Sequence, residues 1–220
     1  MTRRNATERA ATPASAAEAA GGLLVVLSGP SGVGKDAMLK RVLPTVSGLR
    51  RSISVTTRPP RPGEQEGREY FFRSDQEFDR MQAAGELLES AQYLDHRYGT
   101  PKAWVEEQRR NGASVVLEID VQGALQVRRL YPDAILVFVV PPSWEALASR
   151  LAQRHTETAP NLEKRLEAAQ RELKALPRYD YVIVNDNLER AADQLECILQ
   201  AERCRPGRVD LAALGDPDGA

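Results

Sequence analysis

The sequence predicts an α/β fold in which an open, parallel sheet is wrapped by helices. Three apolar runs of the kind found in buried parallel strands occur at 23–27, 113–120 and 134–140. Each run is followed by a stretch that favours a helix, and this alternation is typical of such sheets. The segment 51–110 interrupts the alternation, so we expect it to form an inserted lobe. A chain of 220 residues suits one domain with small lobes of this kind.

The first strand, at 23–27, leads into a glycine-rich loop at 29–35 and then into a helix that begins near Asp36. Glycines let successive backbone N–H groups point inward, and the N-terminus of the new helix adds a positive dipole end. Lys35 supplies a mobile positive charge for the outer phosphates of a nucleotide. The order strand, glycine loop, helix therefore predicts a phosphate-binding loop made of Gly29, Pro30, Ser31, Gly32, Val33, Gly34 and Lys35.

Asp36 is a departure from the pattern of such loops. The residue after the lysine is ordinarily Ser or Thr, whose hydroxyl binds Mg²⁺. A carboxylate can also bind Mg²⁺, and near the start of a helix its charge is locally favourable. Three roles stay open for Asp36: it binds the ion directly, binds it through water, or only caps the helix.

The inserted lobe is predicted from β-prone segments and one helix signal. Three prolines and two glycines exclude a helix at 58–69. Ser74 and Glu77 form a capping box for a helix to about residue 84. We further expect a strand at 52–57, a short strand at 70–72, an antiparallel hairpin at 86–100, and a helix to about 110 with Thr100 as N-cap and Pro101 as its first residue.

The core resumes after the lobe with the strands and helices of the parallel sheet. The expected elements are a strand at 113–120, a helix at 121–130, a strand at 134–140, a helix from Ser143 to about 154, a long helix at about 161–176, a strand at 181–184 and a helix at about 188–203. The predicted core therefore comprises 21–50 and 111–205, and a mobile lid lies within it at about 144–165.

The termini and the overall composition narrow the class of protein. Residues 1–20 lack the apolar stretch of a secretory signal, so we expect a disordered tail, and a flexible tail is expected at 206–220. No apolar run approaches the roughly 18 residues of a membrane span. The net charge of −1 gives no general attraction to nucleic acid or membrane surfaces, so neither is an expected partner. Two cysteines without metal-binding neighbours suit a reduced, cytoplasmic protein.

Several polar residues are candidates for binding and catalysis, each with a simpler alternative. Arg58 and Arg61, with Tyr70 and Tyr98, suit a phosphate monoester, because arginine binds oxyanions through two N–H groups; the alternative is a solvated basic loop. Asp120 ends a buried strand, and enzymes with a phosphate-binding loop place an acid near Mg²⁺ at this position. The alternative, which is compatible with the first, is that Asp120 is the N-cap of the following helix.

Glu89 is a candidate for reading a guanine base, with Ser54, Thr100 and Glu118 as companions. One carboxylate can accept both N1–H and the N2 amine of guanine, whereas adenine offers no donor at N1. By pattern alone a surface carboxylate is the simpler interpretation of Glu89.

Arginines of the predicted lid are candidates for binding the transferred phosphate. Arg150 and Arg154 share one helix face, and Arg165 follows after a polar break. Closure of such a lid would exclude water and stabilise charge in the transition state. The alternative is a solvated, charged face.

Taken in order along the chain, these segments closely resemble the guanylate kinase family. The resemblance runs from about 22 to 202 and rests on GPSGVGK at 29–35, SVTTRPPRPGE at 54–64, REYFF at 68–72, LLESAQY at 87–93, YGTP at 98–101, LEIDVQGA at 117–124, RLAQRHTET at 150–158 and VIVND at 182–186. It implies a P-loop nucleoside-monophosphate-kinase-like fold with a GMP-binding lobe and a mobile lid. It also implies ATP-dependent phosphorylation of GMP to GDP with Mg²⁺. We further expect direct in-line transfer of the phosphoryl group, and activity on dGMP as well.

The resemblance assigns roles to the candidate residues by position. ATP would contact residues 29–35, Asp36 and Asn185; the GMP phosphate would contact Arg58, Arg61, Tyr70 and Tyr98; guanine would contact Ser54, Glu89, Thr100, Asp120 and, more weakly, Glu118; catalysis would use Lys35, Arg58, Arg150, Arg154 and Arg165. His155 stands where the family usually has glycine, which affects the flexibility of the lid.

Two other functions stay open at this point. One is a catalytically inactive, guanylate-kinase-like binding module, which ATP binding would distinguish. The other is a kinase of the same fold with a different acceptor, such as a ribose bisphosphate, which a substrate panel would distinguish. The sequence is compatible with a monomer and with a homo-oligomer.

Overall fold

The computed structural model describes residues 21–93, 95–152 and 159–209. Three of the sequence-based expectations concern residues outside these ranges. They are the N-terminal tail at 1–20, most of the C-terminal tail, at 210–220, and Arg154 and His155 of the expected lid.

Strands and helices alternate along most of the described chain. In order they are β1 (Leu24–Ser28), α1 (Lys35–Thr45), β2 (Leu49–Arg51), β3 (Val55–Thr56), β4 (Phe71–Phe72), α2 (Asp75–Ala83), β5 (Leu87–Tyr93), β6 (His96–Pro101), α3 (Lys102–Arg110), β7 (Ser114–Glu118), α4 (Val121–Leu130), β8 (Ile135–Val140), α5 (Trp144–Ala152), α6 (Ala159–Leu173), β9 (Tyr181–Val184) and α7 (Leu188–Arg203). Short 3-10 turns lie between α6 and β9, at Leu176–Arg178, and after α7, at Pro206–Arg208. No helix among the described residues is long and apolar enough to span a membrane.

The strands form two sheets, and the larger one confirms the predicted fold class. Its five strands run in the order β2-β7-β1-β8-β9, and all neighbours are parallel. The smaller sheet has the order β4-β3-β6-β5 and belongs to the inserted lobe. In it β6 pairs antiparallel with β3 and β5, so the predicted hairpin is also confirmed.

Both faces of the central strand β1 are buried, as its unbroken apolar sequence predicts. Alternate side chains enter opposite layers because successive residues of a strand point to opposite faces. Val25 and Leu27 pack in the layer formed with α1 and α7. Leu24 and Val26 pack in the layer formed with α3 and α4. The core therefore lies on both sides of the sheet, and its strands end together at one edge.

Two features differ from the sequence-based expectations. The edge strand β2 was not predicted, because only Leu49 of its three residues is buried and no apolar run marks it. The prediction that Thr100 caps α3 is wrong: Thr100 lies within β6, Pro101 is the N-cap, and the helix begins at Lys102. The hydroxyl of Thr100 instead donates a hydrogen bond to Glu89, so tertiary contact outweighs local capping.

Candidate active site

A cavity of about 380 Å³ lies between the glycine loop, the inserted lobe and α6. It lies at the carboxyl ends of β1 and β7, where open α/β sheets bind ligands. Its lining includes the following predicted site residues: Gly29, Ser31, Gly32, Gly34, Lys35, Asp36, Ser54, Arg61, Tyr70, Glu89, Tyr98, Glu118, Asp120 and Arg165. The structure therefore brings most of the predicted residues to one place.

The glycine loop has the backbone that a phosphate cradle needs. Gly29 and Gly34 have φ angles of 139° and 100°, a region that side chains disfavour. A Cβ on Gly29 would lie 2.2 Å from the carbonyl oxygen of Val139, so no other residue fits there. The ammonium of Lys35 donates hydrogen bonds to the carbonyl oxygens of Gly29 and Pro30. These bonds hold the Lys35 side chain against the start of the loop, beside the cavity.

Two predicted residues contact the loop from behind. The Asn185 side-chain amide, which is buried, donates to the carbonyl oxygen of Val33 over 2.7 Å. Arg150 donates to the carbonyl oxygen of Asn185 over 3.0 Å and to that of Val33 over 3.4 Å. The structure thus places Arg150 and Asn185 against the loop backbone. Arg165 reaches the loop from α6 and donates to the Ser31 hydroxyl over 3.1 Å.

Asp36, the residue that departs from the loop pattern, is held by two cations. One carboxylate oxygen lies 2.8 Å from the Lys40 ammonium, and the other lies 2.7 Å from the Arg51 guanidinium. Burial acts to raise the pKa of Asp36, but Lys40 and Arg51 outweigh it and lower the pKa. Asp36 is therefore ionised at neutral pH, and both of its oxygens are engaged.

Glu89 is buried, with 4% of its surface exposed, so the alternative of a surface carboxylate is wrong. Thr100, also buried, donates its hydroxyl to Glu89 over 2.7 Å. The other oxygen of Glu89 lies beside Gly123 of α4, where a Cβ would be only 2.4 Å away. Burial raises the pKa of Glu89 to about 7, Thr100 acts to lower it and Asp120 to raise it. The carboxylate is thus held in a tight, nearly dry position.

Arg58 is also buried, so it is not part of a solvated basic loop. Its guanidinium makes two hydrogen bonds to the carboxylate of Glu64, at 2.8 and 2.9 Å, and its Cζ lies 5.4 Å from the ring centroid of Tyr70. Arg61, Tyr70 and Tyr98 line the cavity. Donors suited to an oxyanion therefore gather on the lobe side of the cavity.

The structure confirms one of the two predicted roles of Asp120, the N-cap of α4. Its carboxylate accepts a hydrogen bond from the backbone N–H of Gly123 over 2.9 Å and so caps α4. It also lines the cavity, and burial raises its pKa.

Sequence reasoning missed Glu172, Tyr93 and Arg51. Glu172 of α6 lines the cavity, and burial raises its pKa to about 7. One of its carboxylate oxygens and the phenol of Tyr93 are buried without a hydrogen-bond partner among the described residues. Glu172 follows Arg165 by two helical turns and so shares its face, which is the sequence signal that would have indicated it.

A lysine-bearing glycine loop faces arginine and tyrosine side chains and a buried carboxylate across one cavity, and on this parallel sheet that arrangement defines the class of the P-loop kinases. The family model described as "Guanylate kinase" matches residues 22–202. The chain is 47% identical to a guanylate kinase of Desulfitobacterium hafniense, over 85% of this chain and 94% of that protein. It is 46% identical to one of Bacillus subtilis, over 86% and 93% respectively.

A solved structure agrees with the sequence comparisons. The crystal structure of guanylate kinase from Anaplasma phagocytophilum superposes with a TM-score of 0.74 at 35% identity, covering 89% of this chain and 94% of that one. The chain belongs to the guanylate kinase family.

Proposed function

We propose how this family member carries out the ATP-dependent phosphorylation of GMP to GDP. ATP phosphates lie on the loop 29–35, GMP lies across the cavity on the inserted lobe, and the phosphoryl group passes directly between them. One observation carries this proposal: a single cavity is lined by Lys35 on one side and by Arg61, Tyr70 and Tyr98 on the other. Two anions bound there would face each other, as in-line transfer requires.

The loop and its supports form the ATP half. Backbone N–H groups of the loop, from every residue of 29–35 except Pro30, and the Lys35 ammonium bind the phosphates, while Asn185 and Arg150 donate hydrogen bonds that hold the loop backbone. Arg165, which already contacts Ser31, reaches the transferred phosphoryl group from α6. We propose that Arg154, which lies outside the described residues, also binds the transferred phosphoryl group.

The lobe forms the GMP half. Arg58, Arg61, Tyr70 and Tyr98 bind the phosphate, and Glu64 orients Arg58 by its paired hydrogen bonds. Glu89 accepts N1–H and the N2 amine of guanine, with Thr100, Ser54, Asp120 and Glu118 as its neighbours. AMP offers Glu89 no N1–H donor, so the carboxylate keeps only the bond from Thr100; a mismatch of this kind discriminates by about 10⁴ to 10⁵ in comparable polar sites. These contacts involve only the base and the phosphate, so we expect dGMP to be a substrate as well.

A divalent cation accompanies ATP in an ATP-using kinase, and we propose Mg²⁺. Asp36, Glu118 and Asp120 supply carboxylates at the cavity, which fits a hard cation. No three acidic, His or Cys side chains of the described residues are grouped as a metal site, so phosphate oxygens and water would complete the ligands. Because Lys40 and Arg51 occupy both oxygens of Asp36, we favour contact through water. The ion neutralises charge on the phosphates.

The chain needs no strong general base for this reaction, because the phosphate oxygen of GMP is already anionic. Its own residues position the two nucleotides, neutralise charge and exclude water. Free, exposed Cys197 and Cys204 are consistent with the cytoplasm, where we place the reaction.

A substrate panel tests the function. ADP release from ATP and Mg²⁺ is measured with GMP, dGMP, AMP, CMP and UMP. We expect turnover with GMP and dGMP alone. Turnover with AMP at a comparable rate would contradict the role of Glu89, and ATP binding without turnover on any nucleotide would indicate another acceptor.

A matched pair of arginine variants tests the phosphate site. Arg61 lines the cavity, whereas Arg68 of the same loop is 72% exposed and pairs with Glu69. Arg61→Ala should raise the KM for GMP by about tenfold or more, since it removes hydrogen bonds to a charged group. Arg68→Ala should leave it unchanged. Equal effects of the two substitutions would refute the assignment.

A further inference from the structure

The carboxylate of Asp36 poses an electrostatic problem for the phosphate loop. It follows Lys35 directly and lines the same cavity. An ionised carboxylate there repels the phosphates of ATP and offsets the charge of the lysine. A kinase that carries Asp at this position therefore needs a compensating positive charge close to it.

Arg51 supplies such a charge from a different element. It ends the edge strand β2, where it lies opposite Val116 of β7. Its Nη1 donates to Asp36 over 2.7 Å and its Nη2 donates to Glu118 over 2.8 Å. One guanidinium thus joins the first turn of α1 to the end of β7, a double contact that its planar fork of donors makes possible.

Lys40 also pairs with Asp36, but its position differs. It lies one turn along the same helix, its side chain is 71% exposed, and it makes an i,i+4 pair of the kind that contributes little. The Arg51 side chain is 32% exposed, and it connects Asp36 to a second carboxylate of the cavity. We therefore expect Arg51 to contribute more than Lys40 to compensating the charge of Asp36, and Lys40 is the matched control.

We propose that Arg51 is a positioning residue of the ATP half: by pairing with Asp36 and Glu118 together, it holds the Asp36 carboxylate against β2 and cancels its charge beside the phosphates. This proposal rests on the proposed binding of ATP phosphates to the loop. It makes Arg51 and Asp36 a functional pair, in which the arginine is needed because the aspartate is present. It also gives Glu118 a role in orienting Arg51.

A double-mutant cycle tests this pairing. ATP binding is measured by calorimetry in EDTA for the wild type, R51M, D36S and the double variant, with R51K and K40M alongside. Loss of Arg51 should weaken ATP binding about tenfold when Asp36 is present, the effect of one charged hydrogen bond discounted for exposure. In the D36S background the same substitution should cost less than about twofold. R51K should fall between R51M and the wild type, and K40M should change affinity by less than about threefold.

Two further measurements separate charge compensation from a structural role. The effect of R51M should shrink as KCl is raised, because partly exposed charges are screened. Melting temperatures should stay close together, since such pairs add little stability. If R51M does not fold, R51K keeps the charge and carries the same comparison with D36S.

Some results would overturn the proposal. An equal cost of R51M with and without the aspartate would show that the two residues act independently. A wild-type affinity for ATP that R51M does not change would exclude a positioning role. If the wild type itself does not bind ATP, the proposed function of the loop fails first, and the proposal for Arg51 falls with it.

Discussion

Replacing Thr100 by Val should shift the pH dependence of GMP binding. Thr100 donates a 2.7 Å hydrogen bond to Glu89, and both side chains are buried. Burial raises the pKa of Glu89 to about 7, although the bond from Thr100 acts to lower it. Only the ionised carboxylate accepts both guanine donors, so GMP binding should strengthen as the pH rises through about 7.

The size of the shift follows from the strength of this bond. A hydrogen bond to a charged group contributes about 1.5–3 kcal/mol, and about 1.4 kcal/mol corresponds to one pKa unit. Without the hydroxyl, the pKa of Glu89 should rise to between about 8 and 9, and at pH 7 its ionised fraction should fall from about one half to between about one tenth and one hundredth. The KM for GMP at pH 7 should then rise between about 5-fold and 50-fold.

The protonation of Glu89 affects folding stability and GMP binding in opposite directions. The pKa of Glu89 is higher in the folded chain than its ordinary value of 4.5, so the folded state holds the proton more tightly. Its contribution to stability is therefore present below about pH 4.5 and is lost as the pH rises through about 7. GMP binding should improve over the same range.

The assay is the KM for GMP between pH 6 and 9.5 at saturating ATP. Thr100→Ser keeps the hydroxyl and should follow the wild type. Glu172 also titrates near pH 7, so Glu172→Gln combined with Thr100→Val should preserve the shift if it belongs to Glu89. A loss of affinity in Thr100→Val that is the same at pH 7 and pH 9.5 would refute the reasoning, because it would show a lost contact and not a changed ionisation.

Two further predictions concern positions where the chain packs tightly. Gly123→Ala would place a Cβ 2.4 Å from Glu89 Oε2, so GMP affinity should fall by at least about tenfold. The melting temperature should also fall, because overpacking costs about 1–3 kcal/mol and the gain in helix propensity is at most about 1 kcal/mol. Gly207→Ala, which meets no atom within 4 Å, is the control, and unchanged GMP affinity in Gly123→Ala would contradict the prediction. Asn185→Ala removes the 2.7 Å bond to the Val33 carbonyl, so ATP affinity measured by calorimetry should fall about tenfold with GMP affinity retained. A parallel loss of both affinities would instead indicate a general change in the fold.

The sequence predicted the parallel core because a strand that is buried on both faces is apolar at nearly every position. The run 23–27 is apolar at every position, and β1 is buried throughout. The edge strand β2 has no such apolar run. Leu49 is the only buried residue of β2, and the strand exists because it pairs with β7. Arg51 was missed for the same reason, since nothing local indicates that it meets Asp36 and Glu118.

Local patterns indicated most of the candidate site residues, but each had a simpler alternative until the family resemblance assigned it a role. The pattern around Glu89 favours a surface position, and its burial comes from α4, a helix that follows much later in the chain. Glu172 shows the converse. Its spacing from Arg165 places it on the same face of α6, but only the packing of α6 over the cavity shows that this face lines the site.

The contact between Glu89 and Thr100 depends on an irregularity that the sequence does not announce. In the hairpin Leu87 lies opposite Pro101, whereas Glu89 lies opposite Thr100, so the register shifts between them. Regular pairing from Leu87 would set Leu88 opposite Thr100 and Glu89 opposite Gly99. The shift therefore aligns the carboxylate with the hydroxyl that holds it, which is a recognised use of a β-bulge.

The strand β6 carries residues of both halves of the proposed GMP site. Tyr98 and Thr100 are two residues apart on β6, so their side chains share one face of the small sheet. Tyr98 lines the cavity and Thr100 donates its hydroxyl to Glu89. A slip of one residue in the pairing of β6 would turn both side chains to the opposite face. The shift lies in β5 and not in β6, so it reorients Glu89, while β6 keeps its pairing with β3 at Tyr98 and Gly99.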